Sequence, residues 1–150
     1  MAALLVSDLE HRLPVFLSAA ARRKFAWGQH DCMLFAADWV RELVGSDPAA
    51  PWRGTYDTPE SATAIIERAG GMSPLIHSAV APLGWQGVAG AARGDIALVR
   101  APTRFGQRMV ASVFVGHGTF ALLTGNGLVV APAPFVLGWR APRVEMHAHG

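Results

Sequence analysis

Apolar residues recur every three or four positions through the first half of the chain and gather into short unbroken runs in the second. The two halves therefore predict different secondary structure. Leu9, Leu13, Phe16, Leu17 and Ala20 predict a first helix of about 14 residues, kinked or restarted at Pro14, which has no N–H for the preceding turn. It ends near Arg22-Arg23-Lys24, where cations suit the negative end of the dipole. Met33, Phe35 or Ala36, Trp39, Val40 and Leu43 predict a second helix, capped by Asp31 and stopped at Gly45. Asp47 to Tyr56 is interrupted by Pro48 and Pro51 and predicts a packed surface loop. Thr58-Pro59-Glu60 supplies a cap, a first-turn proline and an acid for a third helix, whose stripe is Ala62, Ile65, Ile66 and Ala69 before Gly70-Gly71. Ser73-Pro74 predicts the same start for a fourth helix, with Leu75, Ile76, Ala79 and Val80 on its apolar side and Pro82 and Gly84 beyond it.

After Gly94-Asp95 the period changes. Ile96 to Val99, Val110 to Val115, Phe120 to Leu123, Leu128 to Val130 and a last segment from about Trp139 to Met146 predict antiparallel strands. Thr124-Gly125-Asn126-Gly127 predicts a hairpin turn, since an Asn-Gly pair tolerates positive φ. Helices first and strands second make an α+β domain.

Composition narrows the picture. A chain of 150 residues, 51% hydrophobic and 16% charged, is one compact domain with a rather apolar surface, spanning 1–150 with 1–8 and 144–150 as peripheral tails. A net charge of +2 with scattered basic residues gives no basic patch for nucleic acid. Met1 to Val6 is apolar, but Asp8, Glu10, His11 and Arg12 follow at once, so no signal-peptide core is expected. No apolar run approaches the roughly 20 residues of a membrane span.

Candidate chemistry centres on Cys32, the only cysteine, which excludes an internal disulfide framework and a cysteine-cluster zinc site. In the first helical turn after Asp31, free N–H groups and the dipole favour its thiolate. From composition alone a lone cysteine is a small buried apolar residue, and the Gly-containing loop with its acidic cap is what favours the reactive reading. His30, two residues earlier, is expected to be exposed rather than to polarise the thiol. His77 is an ordinary helix histidine, His11 precedes the core, and His117 with Gly118 is a turn. His147 and His149 are two ligands without a third, so no metal site is expected, and no cofactor is implied. Asp31 is a helix cap, and Asp95 fixes the turn into the first strand.

Phe25-Ala26-Trp27-Gly28 running into Asp31-Cys32, then Gly45, Asp47-Pro48-Ala49-Ala50, Tyr56, Ala69-Gly70-Gly71, Ala92-Arg93-Gly94-Asp95, Asn126-Gly127-Leu128 and Trp139-Arg140 form an ordered set. With it the chain resembles the NlpC-type cell-wall peptidases, a branch of the papain-like cysteine hydrolases, and a small phage- and prophage-associated family related to them. The resemblance implies an NlpC/papain-like fold, with a Cys-bearing helix among N-terminal helices followed by a small antiparallel sheet or partial barrel. It implies Cys32 as candidate nucleophile, a histidine base at the start of the second core strand, and a third polar group to orient it. Aligned on Val113-Phe114-Val115-Gly116, the base position falls on Val110 and an inner glycine on Ser112. His117 lies seven residues further, ~23 Å along an extended strand, and its odd offset turns it to the other face.

Three functions follow. One is a structural tail-tip or hub subunit of a phage, with a degenerate site, located in the virion, synthesised in the host cytoplasm and bound to other tail proteins. A second is a peptidoglycan-cutting cysteine peptidase using Cys32. The third is a module that binds a peptidoglycan peptide in an open groove beside Cys32 without cutting it.

Overall fold

The computed structural model describes residues 4–144. Four helices come first: α1 (Val6–Ala21), α2 (Cys32–Val44), α3 (Pro59–Arg68) and α4 (Met72–Val80), the last continued by a 3-10 turn over Ala81–Leu83. Before α1 lies β1 (Leu4–Leu5), and after the helices come β2 (Gln86–Val88), β3 (Ile96–Thr103), β4 (Gly106–Gly116), β5 (Thr119–Thr124), β6 (Gly127–Pro132), β7 (Phe135–Arg140) and β8 (Arg143–Val144). Strands β2 to β7 form one antiparallel sheet in the order β2-β7-β3-β4-β5-β6, and β1 pairs in parallel with β8. The domain is α+β.

Alternation along the strands sorts the core into two sides. Ile96, Leu98, Ala111, Val113, Ala121, Leu123 and Trp139 pack with Leu13, Phe35, Trp39, Val40 and Leu43 of the helices. Ala97, Val99, Ala101, Val110, Phe120 and Leu122 form a second cluster, closed by Phe114 and Phe135. Helix α2 lies across β4 and β5, which sets its first residue against the sheet.

Several elements depart from the predicted boundaries. α1 runs through Pro14 without a restart, because Pro14 is exposed while Leu9, Leu13 and Ala20 anchor the helix on either side. The carbonyl that a proline leaves unbonded then meets water. α4 begins two residues early, capped by Gly71 at φ 122 rather than by Ser73. Pro74 still falls in its first turn, where a missing N–H breaks no intrahelical bond. β3 and β4 extend into a hairpin, Thr103 to Gly106, whose exposed polar residues carry no alternation. β7 begins at Phe135 instead of Trp139, β8 is a separate strand, and the end of the predicted last segment, 145–146, lies outside the described residues. The short strands β1, β2 and β8 leave no period to detect, and β1 and β8 occupy part of the segments predicted as tails. The hairpin turn at 124–127 is as predicted. Among the described residues no helix is long and apolar enough to cross a membrane.

Candidate functional site

The loop before α2 is built around Asp31, whose side chain is fully buried. Its Oδ1 accepts the Leu34 N–H at 2.9 Å, which is the predicted N-cap. Its Oδ2 accepts the Gly28 N–H at 2.9 Å and the Tyr56 hydroxyl at 2.5 Å. A buried carboxylate is tolerable only with such a full set of donors. Gly28 has φ +78, and a Cβ there would lie 1.9 Å from the Tyr56 carbonyl oxygen, so the loop closes on Tyr56 only with glycine at this position. Burial, and then the hydrogen bond to Asp31, push the Tyr56 phenol well above its ordinary value. The shift favours Tyr56 as the protonated donor to Asp31. Arg53 steadies the same loop through Asp47 at 2.8 Å and Asp38 of α2 at 2.8 Å, and its bonds hold the Asp47 carboxyl below its ordinary value.

Cys32 opens α2, half-buried, and packs against both sides of the core. It sits at a fork in the sheet. β4 and β5 pair only from Val113↔Ala121 outward, and below that point they part. The Ala111 N–H, turned into the fork, reaches the Cys32 sulfur. That bond and the helix N-terminus favour a thiolate, yet burial and the neighbouring Asp31 charge outweigh them and push the thiol up to about 12. The magnitudes agree with this balance: a helix dipole contributes at most about 2 kcal/mol to a partly buried group, less than the roughly 4 kcal/mol that a rise from 9 to about 12 represents. Burial therefore favours the thiol over the thiolate at Cys32.

The fork opens into a cleft of about 720 Å³. Its lining includes the buried or half-buried Trp27, Cys32, Met33, Val110, Leu122 and Leu123 together with exposed Arg104, Phe105 and Arg108 of the β3–β4 hairpin and exposed Asn126. None of its lining residues is a histidine, aspartate, glutamate or lysine. Val110, buried beside Cys32 on this wall, offers an isopropyl group and no proton acceptor. The cleft can hold an apolar segment, and its only charges are two guanidinium groups.

The histidines lie elsewhere. His30 is 2% exposed, which corrects the expectation that it faces solvent. Its Nε2 hydrogen-bonds the Ala20 carbonyl at 3.1 Å, tying the loop to the last turn of α1, while buried Nδ1 has no partner. With its proton on Nε2 the ring is neutral, and burial holds its pKa below the ordinary value. His77 accepts the Trp139 Nε1–H at 3.2 Å. His117 is the predicted turn residue, at φ 53 between Gly116 and Gly118. His147 and His149 lie outside the described residues, and among the described ones no group of three or more His, Cys, Asp or Glu could hold a metal.

Asp95 serves the turn as predicted, its Oδ2 accepting the Ala92 N–H at 2.7 Å, and it also takes Arg140 of β7 at 2.9 Å. Nearby, the Trp39 indole N–H donates to the Gly94 carbonyl at 2.8 Å, joining α2 to the start of β3. The Tyr56–Asp31 bond, the Arg53 network and the arginine hairpin were not legible in the sequence. Tyr56 lies 25 positions from Asp31, and only its place in the ordered motif set marked it.

No curated protein and no solved structure matches the chain. A family model does, over residues 6–141, and the chain belongs to that family, a domain of unknown function (DUF6950).

Proposed function

We propose that this chain is an NlpC-like subunit of a phage or prophage tail tip or hub, in which the Cys32 cleft binds and does not cut. The observation that carries the non-catalytic part is the cleft itself. Cys32 opens onto it, Val110 stands where an NlpC-type enzyme would place its base, and no imidazole or carboxylate lines it. A protonated thiol without a base lacks what activates a cysteine nucleophile. The tail-tip location rests on the ordered motif set from Phe25 to Arg140.

The open cleft favours retained peptide binding over a filled, purely structural core. Arg104 and Arg108 at an apolar fork suit an extended peptide that carries a carboxylate. Other tail proteins then form the assembly, and a cell-wall peptide is the cleft's ligand.

Four measurements test this. The purified protein incubated with peptidoglycan fragments is expected to release no new amine termini, while titration with a soluble stem peptide perturbs the tryptophan fluorescence, and does so no longer in Trp27→Phe. Turnover that disappears in Cys32→Ala would overturn the non-catalytic reading. Mass spectrometry of particles from the producing host is expected to find the chain, with infectivity unchanged in Cys32→Ala; its absence from particles would overturn the location.

A further inference from the structure

Among the described residues β6 is an edge of the sheet, paired on one side with β5 alone. Natural edge strands are blunted by charge, by coverage or by shortness. This one is six residues long, and from Met109 to Trp139 the sequence has no Asp, Glu, Lys or Arg. α1 approaches β6, yet Val129 and Val130, on opposite faces, are 40% and 52% exposed.

The ladder shows which backbone groups face outward. The β5–β6 loop has two residues, so Thr124 and Gly127 are a hydrogen-bonded pair. Alternation then directs Gly127, Val129 and Ala131 toward β5 and turns the N–H and C=O of Leu128 and Val130 outward. Pro132, next in that outward series, has no N–H to give. Asn126, on the other side, already donates its N–H to Thr124 Oγ1 at 3.1 Å. The usable edge is therefore a short, uncharged stretch with two outward donors and two outward acceptors.

We infer that β6 docks antiparallel against β6 of a second copy of this chain, with the two-fold axis at Val129. In that register Leu128 exchanges both bonds with the partner's Val130, and Val130 with the partner's Leu128, so all four outward groups are satisfied. An axis at Val130 sets Leu128 opposite the partner's Pro132, which cannot donate. An axis at Leu128 sets Val130 opposite the partner's Asn126, whose N–H is in use. An axis between residues opposes outward-facing with inward-facing groups and makes no ladder. The chosen register also covers the exposed side chains, Val129 on Val129 on one face and Val130 on Leu128 on the other. No charge opposes like charge, and the contact is isologous and closed. An edge this short buries less than a standard interface, so a weak dimer is expected. This inference is independent of what the Cys32 cleft binds.

Sedimentation of the full chain at about 100 μM is expected to show a monomer–dimer equilibrium, as befits a small interface. In a Cys32→Ser background, Val129→Cys is expected to form an intermolecular disulfide, since facing Cα atoms of a non-hydrogen-bonded pair are about 4.5 Å apart. Val136→Cys, exposed on β7, is the control expected not to. Val130→Pro removes an outward N–H and the isopropyl group set against the partner's Leu128, and Val129→Lys opposes two charges across the axis. Each is expected to raise the dimer Kd by about tenfold or more while circular dichroism stays native. A monomer at that concentration, or a dimer that both variants leave intact, overturns the proposal.

Discussion

At the residue scale, two groups near the cleft, Cys32 and Tyr56, hold their protons more tightly in the folded domain than in the unfolded chain. The linkage is the same for both. Each contributes stability that is fully present below its unfolded pKa, about 9 for the thiol and 10 for the phenol, and lost as pH rises above those values. Denaturant midpoints are accordingly expected to fall from about pH 9 upward. His30 works in the opposite direction, since its folded pKa lies below the ordinary 6.5, and the stability tied to its neutral ring is lost as pH falls past that value. Tyr56 is the only tyrosine, so the alkaline limb has its own optical signal. Phenolate absorbance is expected to appear only together with unfolding, and its appearance in a domain that keeps its native circular dichroism would contradict the buried Tyr56–Asp31 bond. Asp31 as a cap was legible in the sequence because its partner, Leu34, is three residues away. The bond to Tyr56 was not, because nothing local distinguishes it.

At the element scale, the helices that position the site follow from their stripes and caps, and the departures are instructive. Pro14 predicted a break, but burial of Leu9 and Leu13 on one side and Ala20 on the other outweighs a single missing bond. Because Pro14 is exposed in a helix interior, Pro14→Ala is expected to stabilise the domain by about 1–3 kcal/mol, restoring an N–H donor and relieving the ring's clash with the preceding turn. A higher urea midpoint at unchanged slope would show it, and an unchanged or lower midpoint would mean the helix is bent to suit the proline. The β3–β4 hairpin was invisible for a different reason. Gln107 and Arg108 sit on a ladder that projects beyond the core, so the apolar alternation that marks a strand is missing there. That hairpin brings Arg104 and Arg108 to the cleft, which is why the charge in its lining was not legible either.

At the scale of the whole molecule, the helical half and the sheet are joined at a seam near the start of β3, and the sequence marks its position without its partners. Gly94-Asp95 announces a turn, while the contacts it makes come from α1, α2 and β7. A Cβ on Gly94 would lie 2.5 Å from Leu9 of α1, the Trp39 indole of α2 bonds its carbonyl, and Arg140 of β7 bonds Asp95. Asp95 is fully buried, whereas its partner is 36% exposed at the side chain, so the two ends of this ion pair are not equivalent. Removing the arginine takes a charged partner from a carboxylate in the interior, while removing the carboxylate frees a guanidinium that water can reach. Arg140→Met is expected to cost about 3 kcal/mol, and Asp95→Asn less, because its amide still has hydrogen-bonding capacity for the turn. The double variant Asp95→Asn, Arg140→Met is expected to be more stable than the sum of the two losses, since no buried carboxylate remains to miss its arginine. Urea unfolding of the four proteins gives the cycle. Strict additivity would mean that the seam is held by Trp39 and the packing of Leu9 on Gly94, with the ion pair contributing nothing to the joint between helices and sheet.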